Sequence, residues 1–409
     1  MNAMNTRPLR VAVLDPVGFR GGQARALQLV AEALYQGSRA AGTPAEVVVG
    51  YLDTPRHQAL DFQELRPEIK MRPFIWKVMS SGEARRALVY AGALLPEKLE
   101  TTYQVPDDGI NQFYDCDLWV FISDRLLKPL LPIRPYALVV YDYIPRYLPD
   151  ILPKEANFAF LRAARMANGV LVTTEFTMTD ALQYAGVAPQ RVHKVPMLAP
   201  RFSRVENELN ATPENATPET ESYFIWTSNL AIHKNHANAV RALRIYYEEL
   251  GGTLRCLLTG FNTEAILKGG YPHLEPVRDM VAQSQALQNK LSALGDLPDV
   301  HYRRLLAHAQ FLWHPARIDN GTFAVLEAAY LGVPSLSSDY PAMREMERYY
   351  SLGLSWCDPD DPRQMAAQLK RMEQEANIMK NVLPNTAALD AKGVASVAVD
   401  YWRAVQACL

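Results

Sequence analysis

Two acidic residues, Asp319 and Glu327, lie eight positions apart with a glycine between them. A carboxylate accepts hydrogen bonds, and a hexose or a ribose offers adjacent hydroxyl groups that donate them. The intervening Asn320-Gly321-Thr322 predicts a loop that enters a helix, where free N–H groups and the helix dipole favour a phosphate. Eight residues are a little over two helical turns, so both acids could face one cleft about 12 Å apart along the axis. The pattern predicts a sugar-nucleotide site.

A second polar segment follows the apolar run 223–227, which predicts a strand. Asn229 lies in the loop after this run, and Lys234 follows five positions later, ahead of a helical pattern. An ammonium group is a compact charge suited to phosphate oxygens, although a lone lysine of this kind is most often a solvated loop residue. The acidic pair downstream favours the phosphate role. His233 and His236 are predicted to be polar loop residues, because no carboxylate or cysteine cluster accompanies them.

These two segments resemble the GT-B glycosyltransferases, specifically the large retaining group with an acidic-x7-Glu motif that is often called family 4. The resemblance implies that Asp319 contacts the donor hexose and that Glu327 binds the ribose. It also implies that Asn229 and Lys234 reach the donor diphosphate. In the family the first acid is usually Glu, followed by a Gly-aromatic-Gly element, and this chain departs from both features. Asp319 is one methylene shorter than the glutamate of the family, whereas Glu327 matches the residue that binds the ribose.

The strand-like run 10–14 is followed by a loop and by the paired glycines Gly21 and Gly22, which open a helical pattern. Paired glycines allow backbone N–H groups to approach an anion or a sugar closely, but they equally often only make a tight turn. In the resembled family this element borders the donor phosphates and the acceptor. We therefore predict that Gly21 and Gly22 contribute to donor binding.

Tyr141 and Asp142 lie at the end of another apolar run, where many relatives have His-Asp. In those relatives the histidine contacts the donor sugar near the reaction centre. Tyr141 either replaces it as a hydrogen-bonding group or signals a different sugar, and an aromatic residue that only caps the strand is an equal alternative. Asp142 is predicted to bind the acceptor or the donor sugar. Glu175 is predicted to be structural, because the first turn of a helix favours an acid.

The composition indicates a globular protein that does not bind nucleic acid. The chain has 409 residues, 49% of them hydrophobic, which suggests two or three domains, and its formal net charge of −2 lacks the basic excess of a nucleic-acid binder. Its four cysteines show no paired spacing, which predicts neither a zinc site nor a disulfide framework. The first residues lack an apolar signal core, and no apolar run reaches about 18 residues. We therefore expect a cytoplasmic protein.

Strand-like runs alternate with helical patterns on both sides of a polar segment rich in Asn, Thr, Pro and Glu. Such alternation is typical of parallel sheets with helices on both faces. We predict an α/β fold of two Rossmann-like doubly wound domains facing across a cleft, which is the GT-B architecture of the resembled family. The predicted strands are 10–14, 46–51, 118–122, 137–141, 170–173, 192–195, 223–227, 255–259, 291–294, 311–313 and 334–336.

The predicted boundaries divide the chain into four parts. They are an acceptor-side domain at 1–204, a linker at 205–222, a nucleotide-sugar-binding domain at 223–385 and a C-terminal helix at 386–409. In the resembled family the last helix crosses back onto the first domain, which would make Trp402 a packing residue. A simple terminal helix is equally compatible with the pattern.

The segment 66–99 interleaves seven basic residues with apolar ones. A basic amphipathic stretch can dock on an anionic membrane surface, but a solvated helix face over a domain core is more common. Relatives often act on lipid-linked acceptors. Peripheral contact with the inner membrane is therefore a hypothesis for this segment.

The resemblance as a whole implies a retaining hexosyltransferase. We expect it to move a hexose or deoxyhexose from GDP-mannose, dTDP-rhamnose or a UDP-sugar to a saccharide or lipid-linked acceptor, in bacterial surface polysaccharide synthesis such as that of lipopolysaccharide. The predicted catalytic residues are Tyr141, Asp142, Lys234 and Asp319. We expect no cofactor beyond the donor, and no metal because no Asp-x-Asp motif is expected near a strand end. The alternatives are a GT-B epimerase, a phosphorylase with lysine-bound pyridoxal, and a non-catalytic sugar-nucleotide sensor or scaffold subunit.

Overall fold

The computed structural model describes residues 7–18, 21–54, 62, 65–122, 126–199 and 221–409. The chain forms two compact units. The first unit comprises Met1–Ala199 and Lys392–Leu409, and the second comprises Pro200–Ala391. The predicted linker at 205–222 lies outside the described residues, apart from its last two positions.

The first unit contains a sheet of eight strands among the described residues, in the order β4-β3-β2-β1-β5-β6-β7-β8. All neighbouring strands are parallel except β3 and β4, which are antiparallel at one edge. The strands are β1 (Arg10–Leu14), β2 (Glu46–Leu52), β3 (Lys70–Ser80), β4 (Thr102–Asp107), β5 (Leu118–Ile122), β6 (Tyr136–Val139), β7 (Gly169–Val172) and β8 (Val192–Lys194). The helices are α1 (Gly22–Ala40), α2 (Ser81–Tyr90), α3 (Lys154–Met166), α4 (Glu175–Gln183) and, from the end of the chain, α14 (Val394–Gln406).

The second unit contains an all-parallel sheet of six described strands in the order β11-β10-β9-β12-β13-β14. The strands are β9 (Tyr223–Thr227), β10 (Arg255–Thr259), β11 (Leu291–Gly295), β12 (Leu312–His314), β13 (Ser335–Ser338) and β14 (Ser355–Cys357). The helices are α5 (His236–Glu248), α6 (Ala265–Lys268), α7 (Glu275–Ala282), α8 (Gln285–Lys290), α9 (Asp299–His308), α10 (Phe323–Tyr330), α11 (Pro341–Tyr350), α12 (Pro362–Met379) and α13 (Thr386–Asp390).

Both sheets are apolar through their centres. Every residue of β5 is buried, and four of the five residues of β9 are buried. This is expected for parallel strands covered by helices on both faces. Aromatic packing fills the second core, where the rings of Phe224 and Phe311 stack with centroids 4.8 Å apart. The predicted class, two doubly wound α/β units, is confirmed.

The C-terminal helix α14 belongs to the first unit, where it packs along α1. Trp402 is fully buried, and its indole N–H donates to Thr43 Oγ1 at 2.8 Å. Gly37 of α1 allows this close approach, because a Cβ at that position would lie 2.0 Å from the carbonyl oxygen of Ala398. Trp402 is therefore a packing residue of the first unit, and α14 is more than a simple terminal helix.

The segment 66–99 contains both a strand and a helix. The helix face that was considered there is confined to α2, because residues 70–80 form strand β3. Three of the basic side chains are ion-paired: Arg66 with Glu32, Arg72 with Asp115, and Lys77 with Asp107. Within the described residues, no helix has the length and apolar character needed to cross a membrane.

Candidate functional site

The second sheet has its topological switch point between β9 and β12. From β9 the chain adds β10 and β11 on one side, and it then crosses to the other side to add β12, β13 and β14. The loops that follow β9 and β12 therefore lie on either side of this switch point, where the general rule for doubly wound sheets predicts a crevice at the carboxyl end of the sheet. Doubly wound sheets bind their ligands in this crevice. Lys234 lies in the first of these loops and Asp319 in the second.

Asn235 fixes the two loops against each other. Its backbone has a left-handed conformation with φ of 66°, which asparagine tolerates better than most residues. Its side-chain amide donates to the carbonyl oxygens of Pro315 at 3.1 Å and Pro359 at 2.7 Å. The N–H of Arg317 in turn donates to the carbonyl oxygen of His233 at 2.9 Å. The sequence analysis assigned no role to Asn235, whose partners are 80 and 124 positions away.

Lys234 and Asp319 form an ion pair at the crevice. Their side chains are only 16% and 15% exposed, so the pair is well shielded from solvent. Burial alone would raise the pKa of the Asp319 carboxyl, but the positive charge of Lys234 outweighs this effect and lowers the pKa to about 2, with smaller contributions from His233 and His314. Asp319 is therefore negatively charged at neutral pH. The two residues predicted from separate segments of the sequence are thus direct partners.

Two buried histidines near Lys234 are held in the neutral form. Burial, reinforced by the charge of Lys234, lowers the pKa of His314 to about 4. Burial also lowers the pKa of His236 to about 3, with further contributions from His273 and Lys234. His314 Nε2 lies 3.1 Å from the hydroxyl of Tyr340, and His236 Nε2 lies 3.1 Å from Ser228 Oγ. At neutral pH these histidines act as hydrogen-bonding groups, so Lys234 carries the local positive charge.

The turn after Asp319 leads directly into helix α10. Gly321 has a φ of 81°, and Thr322 caps the helix by accepting a hydrogen bond from the N–H of Ala324 at 3.3 Å. Asp319 also accepts a hydrogen bond from the N–H of Asn320 at 2.9 Å. The predicted loop and helix start are confirmed. The sequence analysis obtained about 12 Å between the two acids by placing both on one helix. That premise was wrong, because Asp319 precedes the helix and the chain turns at Gly321.

Glu327 lies in the second turn of α10 and is only 4% exposed.

Asn229 is exposed, and its side-chain oxygen accepts a hydrogen bond from the N–H of Ala231 at 3.0 Å, which shapes the loop after β9. This loop lies directly against Gly260, where a Cβ would lie 1.7 Å from the carbonyl oxygen of Ser228. The sequence analysis did not identify Gly260. The donor-binding roles of Glu327 and Asn229 stay predictions.

In the first unit, Gly21 and Gly22 form the start of α1, after the loop that follows β1. Gly21 has a φ of 79°, and nothing lies within 4 Å of a Cβ built at either position. The conformation therefore requires glycine at Gly21, whereas packing does not require it at Gly22. Both glycines are exposed. Their predicted contact with the donor stays a prediction.

Tyr141 and Asp142 follow the end of β6 and are half-buried. The carbonyl oxygen of Tyr141 accepts a hydrogen bond from Thr177 Oγ1 at 3.1 Å, and burial raises the pKa of its phenol, so the hydroxyl stays protonated. Asp142 Oδ1 accepts a hydrogen bond from the N–H of Ile144 at 3.1 Å. The catalytic roles of Tyr141 and Asp142 stay predictions.

Glu175 lies at the start of α4 and pairs with Lys194 at 2.8 Å, as a structural residue would.

The expectation that no Asp-x-Asp sequence lies near a strand end was wrong. Asp358 and Asp360 directly follow β14, a strand that the sequence analysis did not predict. Asp360 pairs with Arg317 at 2.8 Å, and Asp358 accepts a hydrogen bond from the N–H of Asp360 at 2.8 Å. Across the described ranges, no group of three or more His, Cys, Asp or Glu side chains is arranged to hold a metal ion.

A family model matches part of the chain. Residues 208–388 match the family described as "Glycosyl transferases group 1". No curated protein sequence is similar enough to this chain to be matched. The family match covers most of the second unit, including both loops that form the crevice, and it supports membership of the glycosyltransferase superfamily.

Solved structures with low sequence identity share the fold over nearly the whole chain. HepE of Anabaena in complex with UDP has 14% identity and a TM-score of 0.63, covering 95% of this chain and 97% of its own. Sucrose-phosphate synthase from Thermosynechococcus elongatus has 13% identity and a TM-score of 0.58, covering 93% and 96%. WaaG, described as a glycosyltransferase involved in lipopolysaccharide biosynthesis, has 14% identity and a TM-score of 0.59, covering 96% and 95%. The chain therefore has the GT-B fold.

Proposed function

We propose that this protein is a retaining glycosyltransferase that moves a hexose or deoxyhexose from a nucleotide sugar to a saccharide or lipid-linked acceptor. The observation that carries the proposal is the Lys234–Asp319 pair at the switch point of the second sheet. It places a cation, a carboxylate and a helix N-terminus at the position where doubly wound sheets bind nucleotides. The match of residues 208–388 to a glycosyltransferase family supports the same function.

The charges of the site suit departure of a diphosphate. As the glycosidic bond of the donor breaks, negative charge grows on the leaving phosphate oxygens, and groups already oriented toward it lower the barrier. Lys234 would supply a positive charge, and the free N–H groups at the start of α10 would supply hydrogen bonds. Glu327 would fix the ribose, while Asp319 would orient the hexose toward the acceptor. The proposed reaction requires no metal ion.

The proposed biological setting is a cytoplasmic step of bacterial surface polysaccharide synthesis. Support comes from WaaG, whose described role is in lipopolysaccharide biosynthesis, and from HepE, which has been solved with UDP and with UDP-glucose. We therefore propose UDP-sugars as donors to test, alongside GDP-mannose and dTDP-rhamnose. Because the identities are low, these relatives support the proposal through their shared fold alone.

The proposed function can be tested by incubating the protein with a panel of nucleotide sugars and acceptors. We expect release of the nucleoside diphosphate and an α-linked product whose anomeric configuration, measured by NMR, matches that of the donor. Addition of a chelator should leave the rate unchanged. An inverted linkage would refute the retaining mechanism. Nucleotide binding without turnover of any donor would instead favour the non-catalytic sugar-nucleotide sensor or scaffold.

Glu327→Gln should weaken binding of the nucleoside diphosphate by roughly tenfold, because a hydrogen bond to a charged partner is worth about 1.5 kcal/mol. Calorimetric titration measures this affinity. Inorganic pyrophosphate, which lacks a ribose, provides the internal control and should bind the variant as tightly as the unaltered protein. Equal loss for both ligands would show that the substitution perturbs the whole site and that Glu327 is not a specific ribose ligand.

Asp319→Asn should strengthen binding of the same nucleoside diphosphate by roughly fivefold while lowering turnover. The amide cannot form an ion pair with Lys234, so the donor diphosphate no longer competes with a carboxylate for that cation. Asp319→Glu is the matched control, because it keeps the negative charge and should change the affinity less than about twofold. Weaker binding to Asp319→Asn would contradict the proposed competition.

A further inference from the structure

His314 and Tyr340 form a buried hydrogen-bonded pair beside the turn that follows Asp319. The two side chains are only 3% and 4% exposed, and the hydroxyl of Tyr340 lies 3.1 Å from His314 Nε2. The same hydroxyl accepts a hydrogen bond from the N–H of Gly321. His314 ends β12, and Tyr340 directly precedes α11, shortly after the neighbouring strand β13. The pair therefore joins the Gly321 turn to the ends of two adjacent strands.

The protonation states of the pair set the direction of its hydrogen bonds. Burial raises the pKa of Tyr340 well above its ordinary value, so the phenol keeps its proton at neutral pH. The neutral imidazole of His314 can accept that proton in a hydrogen bond. The hydroxyl of Tyr340 thus accepts from Gly321 and donates to His314. A buried network whose members are satisfied in this way favours a single arrangement.

The Gly321 turn depends on this pair more than helix α10 does. Every residue of α10 from 324 to 330 is buried, so packing holds the helix in place. Gly321 has no side chain that could anchor it, and its N–H links the turn to Tyr340. Asp319 lies two residues before Gly321. Loss of the Tyr340 hydroxyl should therefore loosen the turn and Asp319 while α10 stays in position.

We propose that His314 and Tyr340 are positioning residues, which hold the Gly321 turn and thereby place Asp319 for the reaction. The inference rests on the proposed function, in which Asp319 orients the donor hexose. A misplacement on the order of 1 Å at a reaction centre can slow the reaction by about 10²-fold. Binding of the nucleoside diphosphate should change less, because its proposed ligands Lys234 and Glu327 lie outside this turn.

The test is the substitution Tyr340→Phe, which keeps the ring and removes the hydroxyl. We expect kcat to fall roughly tenfold or more, while the Kd of the nucleoside diphosphate changes less than about twofold. Hydrogen exchange measured by mass spectrometry should become faster in the peptide that covers Gly321, because its N–H loses its acceptor. His314→Leu should reproduce both effects. His314→Gln should restore most of kcat, because its side-chain carbonyl can accept from the Tyr340 hydroxyl.

Tyr247→Phe is the matched control in the same unit. Tyr247 is 8% exposed, and its hydroxyl donates to the carbonyl oxygen of Leu254 at 3.0 Å, at the opposite end of the sheet where β10 begins. This variant should lose thermal stability but keep kcat and the exchange of the Gly321 peptide unchanged.

Two results would overturn the proposal. Unchanged exchange of the Gly321 peptide in Tyr340→Phe would show that the pair does not hold the turn. Faster exchange with unchanged kcat would show that the turn does not place Asp319 for the reaction. If the original protein turned over no donor, the proposed function would fail, whereas the exchange measurement would still decide whether His314 and Tyr340 hold the turn.

Discussion

Replacing Lys234 by alanine is expected to lower kcat/KM for the nucleotide-sugar donor by roughly 10²-fold or more. Removing a positively charged group that is oriented toward a developing negative charge costs about 3 kcal/mol of transition-state stabilisation. The effect should be large here because Lys234 is only 16% exposed and its charge is shielded from water. Steady-state kinetics with a fixed acceptor measures it. A loss below about threefold would remove Lys234 from the reaction centre.

The Lys234 variant also leaves the Asp319 carboxylate buried without its main cationic partner, which by itself destabilises the fold. The double variant Lys234→Ala with Asp319→Asn separates the two effects. It should recover part of the lost thermal stability while its turnover stays low. Lys290 offers a matched control, because it forms an exposed ion pair with Glu221 at 3.1 Å in the same unit. Lys290→Ala should change kcat/KM less than about twofold.

Trp402→Ala is expected to destabilise the first unit by about 3 to 5 kcal/mol, the usual cost of removing a fully buried tryptophan side chain. The side chain is 0% exposed and fills the contact between α14 and α1. Trp402→Phe should cost less, because a smaller aromatic ring still fills part of the contact, although the hydrogen bond to Thr43 is lost. Hydrogen exchange measured by mass spectrometry reports each unit separately, which a single melting curve of a two-unit protein does not.

The exchange measurement should show faster exchange in the peptide that covers α1 and unchanged exchange in the peptide that covers α5. Trp356 of β14 serves as the matched control, since it is half-buried in the second unit with the Arg344 guanidinium 3.8 Å from its ring centroid. Trp356→Ala should leave α1 protected. If Trp402→Ala also leaves α1 protected, the packing of α14 does not hold the first unit together.

The sequence determined the parts of this fold whose signals are local. The strands at 10–14, 118–122, 223–227 and 255–259 were predicted at their observed bounds, because each is a compact apolar run between polar residues. The helix start at Thr322 was predictable from its capping residue and the preceding glycine. By contrast, β3 was missed because charged residues interrupt its apolar pattern, and its partners β2 and β4 are distant in the sequence.

The sequence by itself thus determined the class of fold and placed a lysine and two acids after predicted strands. Only the tertiary structure decided that Lys234 meets Asp319, because the two residues are 85 positions apart in the chain and follow strands β9 and β12, which are adjacent in the sheet. It also decided that Asn235 joins their loops and that α14 returns to α1. Each of these contacts joins two segments that are distant in the sequence. Neither segment contains a local pattern that predicts the other as its partner. Their formation depends on the order of the strands and on the close packing of the helices, which only the folded chain defines.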